Sequence, residues 1–168
     1  MTQITQIIDR SQEDQIRKLE SEYFNWVNNR LNSEFQITLD IEKMITKDMN
    51  DMNIYFPPDG GMFLAEVDQL FIGTIFLTKL RQGVGQIRRM YVRDEYRRRG
   101  IARKLFETAI ESARNIGYSQ LLLESPKSWG AAHALYHDLG FNIVQMYPES
   151  EVPEHLREYW VFIQLNLE

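Results

Sequence analysis

Cysteine is absent from this chain. Its absence excludes disulfides, thiolate zinc sites and a cysteine nucleophile. Histidine is scarce: His133, His137 and His155 are the only three. The first two stand four apart, a spacing that can hold zinc on a helix, but the adjacent glutamate of the metalloprotease pattern is missing. No metal is expected, and the histidines are expected on the solvent face of their helix. Long apolar runs are missing too, so no segment is expected to cross a bilayer. The start, Met1-Thr2-Gln3-Ile4-Thr5-Gln6, lacks the basic residues and apolar stretch of a signal peptide. A cytoplasmic protein with no membrane partner is the expectation. Neither an internal repeat nor a low-complexity segment is present.

What is present is an ordinary globular composition over 168 residues, which predicts one domain, 1–168, with a substantial core. The net charge of −5 is unevenly spread. Residues 88–104 hold eight basic side chains against Asp94 and Glu95, whereas residues 1–70 hold thirteen acidic against six basic. A generally acidic chain with one basic stripe lacks the broad basic face of a nucleic-acid binder and suits a local phosphate site.

Residues 3–8 read as a first strand. Ser11, with Asp14 three positions on, resembles a helix start, and Ile16, Leu19, Tyr23, Trp26, Val27 and Leu31 follow a helical repeat. Asp40 opens a second helix after a connector at 35–39. The clearest loop is Pro57-Pro58-Asp59-Gly60-Gly61. Residues 62–67 and 70–80 form a predicted hairpin joined at Asp68-Gln69. A turn at 82–85 then leads to a third strand, 86–92, which predicts an antiparallel meander. From Ile101 the period becomes helical as far as Ile116, and Gly117 stands where a left-handed residue would end the helix. Leu121-Leu122-Leu123 read as a strand buried on both faces, so strand, helix and strand make a right-handed parallel crossover. A short helix over 131–139, a strand at 141–145 and a strand at 159–167 complete the chain.

The informative junction is Arg97-Arg98-Arg99-Gly100-Ile101-Ala102-Arg103-Lys104. The first turn of a helix offers unpartnered N–H groups and the positive end of the macrodipole. A residue without a side chain lets an anion approach those amides, and the arginines add charge. Two readings stand at this point: a site for a di- or triphosphate, or a tight turn beside a solvated basic face. Residues 97–102 fit the pattern Gln/Arg-x-x-Gly-x-Gly/Ala, and the chain here resembles the Gcn5-related N-acetyltransferase (GNAT) family. About forty residues later, Ala132-x-x-x-Tyr136-x-x-x-Gly140-Phe141 is similar to the second signature of the same family. The resemblance covers residues 62–141 in detail and the rest in architecture.

The resemblance implies an α/β (α+β) fold: a GNAT-like mixed sheet of six to seven strands, an antiparallel N-terminal meander and a parallel βαβ crossover, flanked by about four helices. It implies acetyl-CoA as co-substrate and direct transfer to a primary amine in a ternary complex. The main chain of Met90, Tyr91 and Val92 would pair with the pantetheine arm. Arg97, Arg98, Arg99, Gly100, Ile101, Ala102 and Arg103 would hold the pyrophosphate. Trp129 occupies the position usually held by an asparagine that contacts the coenzyme, so one polar contact is missing or replaced. Tyr136 matches the tyrosine that protonates the leaving thiolate. Its competing reading is a ring that merely packs in the core. For the base, relatives often carry a glutamate where Gln86 stands, and glutamine cannot take a proton. Glu124 and a water chain to bulk both remain open as the route for the amine proton.

The first two helices, the loop at 57–61 and the segment 146–158 are rich in Asp, Glu and aromatics, and form the expected acceptor side. A carboxylate-rich mouth would favour a small cationic amine or a peptide amine, with cation–π attraction from the aromatic walls. Monomer and homodimer both stand open. A coenzyme-binding sensor with the same fold and little catalysis is the alternative function. A nucleic-acid binder using residues 88–104, which would predict steeply salt-dependent binding to any duplex, ranks last.

Overall fold

The backbone is built around one seven-stranded sheet in the order β1-β2-β3-β4-β5-β7-β6. The computed structural model describes all residues, 1–168. The strands are β1 Gln3–Ile7, β2 Gly61–Val67, β3 Leu70–Arg81, β4 Val84–Val92, β5 Gln120–Pro126, β6 Asn142–Val144 and β7 Trp160–Asn166. The helices are α1 Glu13–Phe35, α2 Ile41–Asn50, α3 Ile101–Ile116 and α4 Gly130–Asp138. Only β4 and β5 pair in parallel; every other neighbouring pair is antiparallel. The mixed sheet, the meander and the crossover agree with the expectation from the two motifs.

The local signals account for most boundaries. Asp68 (φ 49°) and Gln69 (φ 63°) are both left-handed, which is the two-residue turn that matches strand twist. Asp40 caps α2 by accepting the Lys43 N–H at 3.1 Å. At the first helix the cap differs from the Ser11 start. Asp9 accepts the Ser11 N–H at 2.8 Å, and a 3-10 turn at Arg10–Gln12 leads into α1. The strand expected at 141–145 shrinks to three residues because it lies at the sheet edge and pairs only with β7.

The two faces of the sheet are covered differently. Ile101, Leu105, Phe106, Ala109 and Ala113 of α3 pack with Ile72, Ile87, Leu121 and Leu123, together with Tyr136 and Phe141. Each large apolar side chain buried there contributes roughly 1.5 to 3 kcal/mol. On the other face, Ile16, Leu19, Phe24, Ile45 and Met49 of α1 and α2 pack with Met62, Leu64, Phe76 and Tyr91. Tyr147 and Val152 cover Val84, Leu122 and Phe162 on a third patch.

Strand β4 carries a bulge that no glycine announces. Thr74 pairs with Tyr91 and Phe76 with Arg88, so three steps on β4 oppose two on β3, and Arg89 sits at φ 54°. The extra residue reverses the alternation. Ile87 packs under α3, yet Tyr91, four residues on, packs under α1.

Candidate active site

Strands β4 and β5 are bonded over only three residue pairs, from Val84 with Gln120 to Gln86 with Leu122. Beyond Gln86, β4 stays on β3 while β5 stays on β7, and the two part. The Arg93 N–H reaches the Ile72 carbonyl at 2.9 Å. Alternation therefore turns the main-chain groups of Val92 the other way, into the gap, where Arg97 Nε donates to the Val92 carbonyl at 2.7 Å. Such an open strand edge is ready to pair with an extended ligand.

Two cavities meet in this gap, sharing Met90, Phe106, Trp129 and Tyr136. The larger, about 560 Å³, runs along Met90, Tyr91 and Val92 to Arg97, Arg98, Gly100, Ile101, Ala102 and Arg103. Gly100 is left-handed (φ 76°) and no side chain caps α3. The first backbone bond of that helix is Lys104 N–H to the Gly100 carbonyl, 3.1 Å. The amides of Ile101, Ala102 and Arg103 thus precede the ladder and face the cleft mouth. A Cβ at position 100 would meet nothing within 4 Å, so the space beside those amides is open. Arg99 alone of the expected loop residues does not line the cleft. Its guanidinium bonds the Glu95 carbonyl at 2.9 Å and lies over the Tyr96 ring.

One wall of the larger cavity was not expected. The guanidinium of Arg30 lies 4.8 Å from the Trp129 ring and 5.5 Å from that of Trp26. Arg97 also lies over the Trp26 ring, at 4.7 Å. The Trp129 indole N–H is buried without a partner, an unspent donor at the position where an asparagine is usual. Sequence spacing marked Trp129, but nothing in the sequence tied it to Trp26 and Arg30, some hundred residues earlier.

The smaller cavity, about 140 Å³, is polar and is lined by Gln86, Arg88, Glu124, Ser125 and Glu151 besides the shared residues. Tyr136 is buried against Phe106, with ring centroids 5.3 Å apart, and its hydroxyl lies near Ser125. Burial pushes its hydroxyl well above the ordinary tyrosine value. Core packing and a place in both cavities therefore coexist in one side chain. Ser125 bonds His133 Nε2 at 3.0 Å, so His133 is turned inward rather than lying on the solvent face; His137 and His155 are exposed.

Burial raises the Glu124 carboxyl above the usual carboxylate range, while hydrogen bonds from Ser150 and Tyr147 and the Arg88 charge pull it partly back. Its Oε1 is buried with no partner. The Tyr147 hydroxyl accepts from Gln86 Nε2 at 3.2 Å and lies beside Glu124. Gln86 is thus a hydrogen-bonding link under Glu124, in the place where a glutamate base would stand.

Most carboxylates of α1 and α2, one part of the expected acceptor side, are already engaged. Glu13, Glu22, Glu34, Asp48 and Asp51 are paired with Arg10, Arg93, Arg30, Arg89 and Lys47. Asp40 is spent as a cap, and Glu20 is buried beside Asp48. Three of these pairs are local, three or four residues apart, whereas Glu22–Arg93 and Asp48–Arg89 join residues 71 and 41 positions apart and leave no trace in local patterning.

The family model for the acetyltransferase (GNAT) family matches residues 13–141. This chain belongs to the GNAT family. It is 31% identical over 108 residues to N-acetyltransferase 8 of Homo sapiens, covering 60% of this chain and 48% of that protein. The chain spans about half the length of the curated relatives it matches. The GNAT acetyltransferase of Staphylococcus aureus Mu50 shares the fold at a TM-score of 0.78, with 21% identity and full coverage of both chains. The PaiA N-acetyltransferase of Thermoplasma acidophilum, solved with coenzyme A, shares it at 0.74, with 15% identity and 99% coverage of each.

Proposed function

We propose that this GNAT protein transfers an acetyl group from acetyl-coenzyme A directly to a primary amine. The observation that carries the reading is the convergence of two features on one cleft. The open edge of β4 and the free amides of α3 line its length, and Tyr136 and Glu124 stand where it narrows. A coenzyme solved bound to the Thermoplasma PaiA fold relative supports the same use of the cleft.

Each residue then has a defined task. The amides of Ile101, Ala102 and Arg103, with Arg97 and Arg98, hold a pyrophosphate. The Trp129 N–H supplies the polar contact that an asparagine would otherwise make, and main-chain N–H groups of Met90 to Val92 polarise the thioester carbonyl. The coenzyme supplies an activated acyl group whose leaving atom is a thiolate. Glu124 takes the proton of the attacking amine, relayed through the polar cavity, and Tyr136 returns a proton to the departing sulfur. The C–N bond forms as the C–S bond breaks, and no cysteine is needed to carry the acyl group.

Thiol release from acetyl-coenzyme A, followed across a panel of primary amines, tests the reading. Amine-dependent release is the expected result. Tight coenzyme binding by calorimetry with no release for any amine would instead favour a coenzyme sensor.

A further inference from the structure

Arg88 is the one guanidinium of the smaller cavity not already committed to a buried carboxylate. Arg89, its neighbour, is turned by the bulge onto Asp48. The Arg88 side chain is largely buried (16% exposed) and Nε is fixed by Gln86 Oε1 at 2.9 Å. Its remaining partner is Glu151, at 3.1 Å from a terminal nitrogen, and that carboxylate is 65% exposed. A mostly buried, oriented cation is therefore neutralised by a solvent-facing carboxylate from a loop. Exposed pairs of this kind hold weakly and exchange readily, whereas the buried guanidinium must always have an anionic partner. Across the gap, in the same cavity, Glu124 of β5 presents a buried oxygen with no partner. One small cavity thus offers a fixed acceptor for an amine and a fixed donor fork for an anion.

We infer that the acceptor is an amino-acid-like molecule, whose amine faces Glu124 while its carboxylate takes Arg88 from Glu151. The inference rests on the acetyl-transfer reading above and narrows its substrate class. Glu151 acts as an internal stand-in for the substrate carboxylate, keeping Arg88 oriented until the acceptor arrives. A guanidinium reads a planar carboxylate through two parallel N–H bonds, and a carboxamide cannot repay that geometry or charge.

The test uses the full chain, acetyl-coenzyme A, and free amino acids each matched with its own α-carboxamide, with thiol release as readout. The expected result is a preference for the free acid of about tenfold or more in kcat/KM. Arg88→Gln should collapse that preference through KM for the acid form. Glu151→Gln should move the other way and lower KM for the acid, because the competitor is gone. A clasp that merely holds the loop predicts that both variants behave alike, and that result would overturn the inference. So would carboxamides or simple cationic amines turned over as well as the acids. No release from any amine, acid or amide, would instead defeat acetyl transfer itself, and this inference with it.

Discussion

The guanidinium of Arg89 forks onto both oxygens of Asp48, at 2.5 and 3.0 Å, and so ties the bulge of β4 to helix α2. Glu20 of α1 is buried next to this pair and has no hydrogen-bond partner of its own. Burial and the neighbouring Asp48 carboxylate push Glu20 up to about 9, so it is neutral at pH 7. The folded state binds a proton here that the unfolded chain releases near 4.5. The stability contributed is complete below about 4.5 and is lost as pH climbs towards about 9. Glu20→Gln should flatten that decline, and urea midpoints of both proteins between pH 5 and pH 9, about the span of the shift, measure it.

Asp48→Asn leaves Arg89 largely buried without a counter-charge. A loss of about 3 to 5 kcal/mol is expected, the range for breaking one side of a buried pair. Denaturant unfolding at pH 7 checks it. A loss under about 1 kcal/mol would mean that Arg89 finds water or another partner.

Tyr136→Phe keeps the ring on Phe106 and removes the hydroxyl. Turnover should fall by roughly 10- to 100-fold with coenzyme affinity retained, as for a removed proton donor. Steady-state thiol release alongside calorimetry separates the two quantities, and unchanged turnover would leave the tyrosine a packing residue only.

Glu124→Gln should lower turnover by about 100-fold or more, the scale of a lost general base. In the parent protein the rate should drop as acid protonates Glu124, at a pH above the ordinary carboxylate range because burial raises this group. The variant should lose that acid limb. An identical pH–rate profile in both proteins would assign the proton to a water chain.

Gly100→Val places a β-branched side chain at a left-handed position but in open space. Folding should survive with a cost of about 1 to 2 kcal/mol. Coenzyme affinity by calorimetry should fall severely, because the new methyls occupy the approach to the α3 amides. Undiminished affinity would remove the pyrophosphate role from this turn.

The parts of the molecule that read well from sequence are those in which neighbours in the chain are neighbours in space. The Asp68-Gln69 turn, the α3 stripe from Ile101 to Ala113 and the caps at Asp40 and Gly117 are all of this kind. Gly100 and Tyr136 stand out as candidates in the sequence because each sits in a spaced motif, and the structure places both on the same cleft. The bulge at Arg89 does not stand out, since a bulge is usually betrayed by glycine and here the left-handed residue is an arginine held by a distant aspartate. The same blindness hid Arg88 as an acceptor contact. Within the basic stripe it looks like every other arginine, and only the fold separates it from Arg89, Arg97 and Arg99. The acidic helices were legible only in part: Arg30–Glu34 and Lys47–Asp51 are local pairs that spacing can show, whereas Glu22–Arg93 and Asp48–Arg89 exist only in the fold.

Strand β7 lies between β5 and β6, so the loop carrying Tyr147, Ser150 and Glu151 must travel from the sheet edge back over the mouth before the chain can enter the sheet. The same strand supplies Ile163 and Leu165 to the core under α3, so closing this wall and completing that core are one event. Only when Trp160 to Asn166 slot in beside β5 does the acceptor chamber acquire its last side.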